Sequence, residues 1–471
     1  MPSASTNSPL RLGRFAATLS AFRASQLHRN AIAGSGQVIV TAAIACISYP
    51  VYLRFLGYEL YGLWLTLGVV LTFAQFGKVG LVPAMTKHVA EEYGRGDMVA
   101  VRSYVTTGLT VLGVMGCAML GLVLALRSQF VTALRLDTAN SLLALRLTPW
   151  IAVLSIYVLQ IEALNAVLAG LGRMDVASVL QVVARLISLS VATFLLANGV
   201  GIASLLWSNA VAYVFVHAAT LIAVHRITGA GCLSTSGFDL RRLRALAGFG
   251  SGVFGASLIN MLIAPFNKIM LARYAGVGLV PVFDLSWSLS MQLRSIVDSG
   301  VSAIMPEISR LLACQEPRAR ARIQQVRDRA KRLAFVLGLV ICGSAAVFAG
   351  PVLRVWLGPR FHVLLPDTLR IILIGVFIEV SSIPTYYTLL ALGQVSKVFL
   401  SNAIAACANV LCVIGVVLLA PEFSVGLLAL CVTVSLTASA VYLLAFAKPY
   451  ISGSTPVIDM RQMRTSSDLV G

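Results

Sequence analysis

The sequence predicts an all-α polytopic membrane protein, with about 12 transmembrane helices in two six-helix bundles. Three observations predict it. Of the 471 residues, 58% are hydrophobic and 11% charged, whereas a soluble domain carries about 25% charged residues. That much apolar surface requires lipid as its solvent. Next, apolar runs of about 20 residues recur along the chain. They are long enough to cross a bilayer as helices, and too long and too little alternating for strands. Finally, Leu168-Ala-Gly-Leu-Gly-Arg173 returns as Leu389-Leu-Ala-Leu-Gly-Gln394, about 221 positions later. Each copy ends the fourth apolar run of its half. An even number of spans per half makes the repeats parallel, about an axis near the membrane normal, and transporters place midplane sites at such seams.

The expected spans are, in order, roughly 31–53, 60–84, 103–126, 147–171, 175–197, 201–224, 246–272, 279–304, 333–353, 369–393, 396–420 and 424–447. The first six form one bundle, residues 30–225, and the last six a second, residues 243–448. Residues 1–29 are a basic cytoplasmic segment, in which Leu12, Phe15, Leu19 and Phe22 trace a helical stripe flanked by Arg11, Arg14 and Arg23. A helix lying on the inner leaflet and a disordered tail both fit that stripe. A cytoplasmic connector, 226–242, joins the bundles, and a polar cytoplasmic tail, 449–471, follows them. Two further matches support the duplication: Gly57 with Gly276 at the first outer turns, and Pro83 with Pro306 near the ends of spans two and eight.

The formal charge of +18 would suit nucleic acid, but its distribution argues otherwise. With both termini inside, Arg11, Arg14, Arg23, Arg29, Arg226, Arg241, Arg242 and Arg244 fall on the inner face. So does the densest group, Arg318, Arg320, Arg322, Arg327, Arg329, Lys331 and Arg332, on a segment that could continue span eight as a helix. The outer face receives few: Arg54, Arg127, Arg135, Arg146, Arg273, Arg354, Arg360 and Arg370. This is the positive-inside bias of a multi-pass plasma-membrane protein, with membrane lipids and not nucleic acid as its charged neighbours. The first apolar stretch has full spanning length, so no cleavable signal is expected. The eight cysteines form no CxxC pair and read as small apolar residues. There is no HExxH, no P-loop Gly-Lys-Ser/Thr and no GxSxG in a hydrolase context. No extramembrane segment is long enough to fold as a domain. Neither an enzyme nor a cofactor or metal site is expected.

Ionisable residues inside spans are costly and mark either a pathway or a paired structural site. They are Lys78, Glu162, Arg185, Lys268, Asp284, Arg294, Asp298 and Glu379, with His217 titrating near neutral pH. Span eight carries Asp284, Arg294 and Asp298; the last two, at i and i+4, can pair along the helix. In one reading, Lys78, Lys268, Arg273 and Arg294, with Asp284 and Asp298 on the same polar face, line a cavity and hold an anionic head group. In the other, Arg294–Asp298 is an internal ion pair, and Lys78 and Lys268 snorkel to an interface. Glu162 and Glu379 occupy nearly equivalent places in the two halves, and Glu162 can pair with Arg185. Together with His217 they are candidates for ion or proton coupling, or for hydrogen-bonding glue between helices.

The string Pro50-Val-Tyr-Leu-Arg-Phe-Leu-Gly-Tyr-Glu-Leu-Tyr-Gly-Leu-Trp64 resembles the polysaccharide transporter, O-antigen flippase-like branch of the multidrug/oligosaccharidyl-lipid/polysaccharide superfamily. So do Gly77-Lys78-Val-Gly80, Leu168–Arg173, Met305-Pro-Glu-Ile-Ser309 and Val352-Leu-Arg-Val-Trp-Leu-Gly358. The resemblance covers nearly the whole chain. It implies two bundles in a V, and movement of polyprenyl-pyrophosphate-linked oligosaccharide (an O-antigen, exopolysaccharide or capsule repeat unit) across the bacterial inner membrane by alternating access. It also implies polysaccharide polymerase and chain-length machinery as candidate partners. Lys78 stands at or beside a place where that branch commonly has an acid. An ion-coupled multidrug exporter is the alternative; such exporters often carry an acid in span one, and Ile32–Leu53 has none.

Overall fold

The computed structural model describes the backbone of residues 8–74, 76–228, 239–302, 304, 307–308, 311 and 319–446. It describes the side chains of 29–30, 33–34, 36–72, 81–228, 239–246, 261–302, 304, 307–308, 311 and 322–445. Among these residues every regular element is helical. Those of the first half are α1 (Ser8–Leu67), α2 (Val69–Ala74), α3 (Phe76–Arg95), α4 (Met98–Ala133), α5 (Thr138–Gly170), α6 (Met174–Ala197) and α7 (Ala203–Thr228). Next come α8 (Leu240–Tyr274), α9 (Val280–Val301), α10 (Ala319–Leu357), α11 (Leu365–Val380), α12 (Ile383–Ala391), α13 (Val395–Leu419) and α14 (Val425–Phe446). Nine helical stretches among the described residues are long and apolar enough to cross a membrane. The eighth expected span, α9, is not among them; its 22 residues include Asp284, Arg294, Asp298 and five serines or glutamines before Val297 that lower its hydropathy. The side chains of the Leu12–Phe22 stripe, Lys78, Arg318, Arg320 and Pro306, and the tail 449–471, lie outside the described residues.

The chain divides into two compact units after Phe254, inside α8. The first turns of α8 belong with the first unit because they are tied to α4. Arg242 Nη1 donates to Ala100 O at 2.8 Å, its guanidinium lies 5.1 Å from the Tyr104 ring centroid, and Asp239 N donates to Thr107 Oγ1. The expected continuation of span eight into the basic stretch falls on residues 312–318, which lie outside the described residues. Arg322–Arg332 itself lies near the start of α10, which runs unbroken into the ninth span.

Repetition is visible in the backbone itself. Gly57 (φ 69°) interrupts α1 after the first span, and Gly276 (φ 93°) makes the corresponding turn before α9. These left-handed conformations favour glycine. At the end of α5, Arg173 N donates to Leu168 O and Gly172 N to Ala169 O; at the end of α12, Gln394 N donates to Leu389 O and Gly393 N to Leu390 O. Gly172 and Gly393 have φ of 75° and 74°. This is one Schellman cap in two copies.

The fourth span is the core helix of each unit. The most apolar stretches of Thr138–Gly170 and of Leu365–Ala391 are both 61% buried, against 50% or less in every other such helix among the described residues. In the first unit α5 packs on α3, α4 and α7, through Met85, Val101, Val105, Leu112, Leu164 and Leu168. In the second, α11 packs on α9, α10 and α14. There the α11–α14 contact is close enough that a Cβ on Gly375 would lie 2.8 Å from Thr433 Cα, and Thr433 Oγ1 donates to Ile371 O at 2.6 Å. Outward faces keep large apolar side chains exposed, such as Phe194, Val340 and Leu418, as a lipid solvent allows.

Candidate functional site

The two core helices differ in one respect that shapes the site. The fourth span of the first unit is continuous. In the second unit the equivalent span is broken at Ser381–Ser382, between α11 and α12. Pro384 accounts for the break, since it has no N–H to give to the carbonyl four residues earlier and its ring crowds that carbonyl. The turn is closed locally. Glu379 O accepts from Ser382 N at 2.9 Å and from Ser382 Oγ at 2.7 Å, and Ser381 Oγ donates to Ile378 O at 2.6 Å.

A cavity of about 370 Å³ opens beside this break, within the roughly 300–1,000 Å³ range of ligand pockets. Its walls include Trp287, Met291, Arg294 and Asp298 of α9, Glu379 and Ser382 at the break, Tyr386 and Tyr387 of α12, Ser401 and Asn402 of α13, and Ser439 of α14. Arg294 Nε donates to Glu379 Oε2 at 2.9 Å. Tyr387 Oη donates toward both Asp298 oxygens, at 3.2 and 3.3 Å. The Tyr386 and Tyr387 rings meet edge to face at 5.5 Å, and Trp287 lies nearly parallel to Phe283.

Several expectations are corrected here. Arg294 and Asp298 do not pair along α9; the guanidinium reaches across to Glu379, and Asp298 is held by a tyrosine. Lys268 neither snorkels nor contributes open positive charge. It forms an ion pair with Asp284 across α8 and α9, where its side chain is 19% and that of Asp284 9% exposed, and neither lines the cavity. Arg273, at the end of α8, lies 5.4 Å from the Tyr274 ring centroid. Of the cations expected to act together, Arg294 lines this cavity and Lys268 and Arg273 do not; Lys78 lies outside the described residues. Among the described residues its walls carry one guanidinium against two carboxylates.

In the first unit, Glu162 of α5 and Arg185 of α6 share a smaller cavity of about 130 Å³ with Gln181, Ser188, Asn209 and Tyr213. Each unit thus has a carboxylate on its core helix and an arginine in the same pocket, but the arginine comes from the fifth span in one and from the second in the other. His217 is not part of this pocket; its ring meets Tyr157 edge to face at 5.9 Å.

Sequence reasoning passed over Trp287, Tyr386, Tyr387 and Asn402, because single aromatic and amide residues in an apolar run carry no periodic signal. The usable signal was Pro384, five residues after an intramembrane Glu. Asn267 and Asn409 were also passed over. Both are fully buried, and their amides have no hydrogen-bond partner among the described residues.

The fold has well-matched relatives. An inward-facing multidrug resistance MATE family transporter of the MOP superfamily aligns with a TM-score of 0.73 at 13% identity, over 88% of this chain and 98% of that one. The lipid II flippase MurJ, in an inward closed conformation, aligns with a TM-score of 0.70 at 12% identity, over 89% and 87%. A MOP superfamily transporter from Pyrococcus furiosus, described as having a binding pocket of reverse polarity, aligns with a TM-score of 0.61 at 14% identity, over 90% and 96%. At these identities the likeness is one of fold. No curated protein matches by sequence. A family model described as "Polysaccharide biosynthesis protein" matches residues 27–312, more than half of the chain, and the chain belongs to that family.

Proposed function

We propose that the chain is a flippase that carries a polyprenyl-pyrophosphate-linked oligosaccharide across the bacterial inner membrane by alternating access, with both termini in the cytoplasm. The observation that carries this reading is membership of a polysaccharide-biosynthesis family by a chain whose fold matches transporters, a lipid-linked flippase among them. A pyrophosphate with sugars attached cannot cross hydrocarbon unaided, because desolvating it is prohibitive. A protein that shields the head group while the prenyl tail stays in lipid removes that barrier. Each negative charge moved outward gains about 2.3 kcal/mol per 100 mV of inside-negative potential. O-antigen, exopolysaccharide or capsule units are the substrate class proposed, and the polymerase and chain-length machinery the proposed partners.

The test is complementation. Expression in a strain lacking its own repeat-unit flippase should restore surface polysaccharide; no restoration with repeat units of several compositions would count against the proposal. The second reading, an ion-coupled multidrug exporter, is favoured by the fold likeness and by the carboxylates in the second-unit cavity. It predicts resistance to cationic compounds on expression in a drug-sensitive strain.

A further inference from the structure

We infer that the second-unit cavity is a carbohydrate subsite: it receives sugar rings of the transported lipid-linked oligosaccharide and not its pyrophosphate. The inference rests on the flippase reading. Its first support is charge. Arg294 is already engaged by Glu379 at 2.9 Å, and Asp298 adds a second carboxylate to the same wall. A pyrophosphate placed here would meet a neutralised arginine and surplus negative charge, which raises its energy.

The second support is the chemistry of the lining. Trp287, Tyr386 and Tyr387 present aromatic surface, and Ser382, Asn402 and Asp298 present hydroxyl, amide and carboxylate groups within the same space. A pyranose has the matching character, with apolar C–H faces that lie against aromatic rings and equatorial hydroxyls that donate to carboxylates and amides. Hydrogen bonds to ionised acceptors are among the stronger ones, and aromatic side chains combine large apolar contact with a polar handle. An organic cation would also favour aromatic rings. Of the two carboxylates, Glu379 is held by Arg294 and Asp298 only by a neutral tyrosine hydroxyl, so displacement by an organic cation is a distinguishing outcome of the test.

The experiment uses the full-length protein in nanodiscs with two probes, undecaprenyl pyrophosphate and undecaprenyl pyrophosphate bearing a neutral tetrasaccharide, with adducts quantified by native mass spectrometry. The wild type should bind the glycosylated probe more tightly. Trp287→Leu and Asn402→Ala should lose that increment, about tenfold for the aromatic, the scale of one buried anchor, while binding the sugar-free probe as the wild type does. Trp287→Phe, which keeps a ring, should retain most of the increment and separates lost stacking from misfolding. Equal binding of both probes by the wild type would overturn the subsite and leave the flippase reading intact, as would equal loss of both probes in the variants. Binding of neither probe by the wild type would overturn the flippase reading itself. Displacement of the tetrasaccharide probe by tetraphenylphosphonium, dependent on Asp298, would assign the cavity to organic cations and overturn the proposal.

Discussion

The Arg294–Glu379 pair should behave as a unit whose single neutralisations cost far more than removal of both partners. Two unit charges 2.9 Å apart attract by roughly 6 kcal/mol at an effective dielectric near 20. Most of that is offset by the desolvation of both groups. Further screening comes from water in the cavity, since 30% of the Arg294 side chain and 18% of the Glu379 side chain is exposed. Losing one partner leaves the other as an uncompensated charge in a membrane bundle, which costs about 3–5 kcal/mol when fully buried; with this exposure about 2–4 kcal/mol is expected. The two singles should differ. Arg294→Gln leaves Glu379 and Asp298 as two carboxylates on one wall, whereas Glu379→Gln leaves Arg294 with Asp298 one turn away, so the arginine variant should be the worse. Arg294→Met with Glu379→Met removes both charges and should lie within about 1 kcal/mol of the wild type. Melting of the purified protein followed by tryptophan fluorescence reads the cycle. At about 2–4 °C per kcal/mol for a unit of this size, the arginine single should fall by roughly 5–10 °C. A double variant as unstable as the two singles added together, or singles that melt with the wild type, would refute the reasoning.

Three further outcomes follow from the geometry. Lys268→Met removes the counter-charge of Asp284, whose side chain is 9% exposed, and should lower the melting temperature, with Lys268→Met/Asp284→Leu recovering most of the loss. Gly375→Val places a Cβ 2.8 Å from Thr433 Cα, where only backbone movement can relieve the clash. A loss of about 1–3 kcal/mol is expected, visible as reduced folded yield in detergent. Gly172→Ala and Gly393→Ala each force an L-residue into φ near 75° at about 1–2 kcal/mol, and since the caps are copies, the two melting shifts should agree; a clear difference would argue against their equivalence.

Much of this architecture was legible because it depends on quantities that sequence carries directly. Apolar run length marked most of the spans, and Gly57, Gly276, Gly172 and Gly393 marked the repeated turns, because positive φ narrows the choice of residue to few types. The ionisable residues were legible for a similar reason, as charges in apolar runs are rare. Their partners were not. Spacing along α9 favoured Arg294 with Asp298, and no one-dimensional pattern reports that Glu379, 85 positions away, comes closer. The broken tenth span was in principle readable at Pro384, but a proline in an apolar run need not break the helix. Pro149 and Pro265 sit inside continuous helices, so the residue alone does not decide.

The two repeats keep a common backbone and diverge in what they hold on it. The cap at Gly172 and its copy at Gly393 end the core helix in both units, and both core helices bear a carboxylate. In the first unit that carboxylate shares a small pocket with Arg185 of the adjacent span, on a helix that is unbroken. In the second, Glu379 sits two residues before a break and draws its arginine from α9, so that the ion pair fastens the broken span to its neighbour. Withdrawing Arg294 would expose two carboxylates to each other, and a neutral ligand has no charge with which to replace it. On the proposed reading, sugars would enter the larger cavity, donate hydroxyl hydrogens to Asp298 and Asn402, and leave again without disturbing the pair. A phosphate or a dication would compete for one of its members. Tolerance of neutral rings combined with resistance to charged ones is the selectivity that the proposed flippase would need of a wall from which its cargo leaves again.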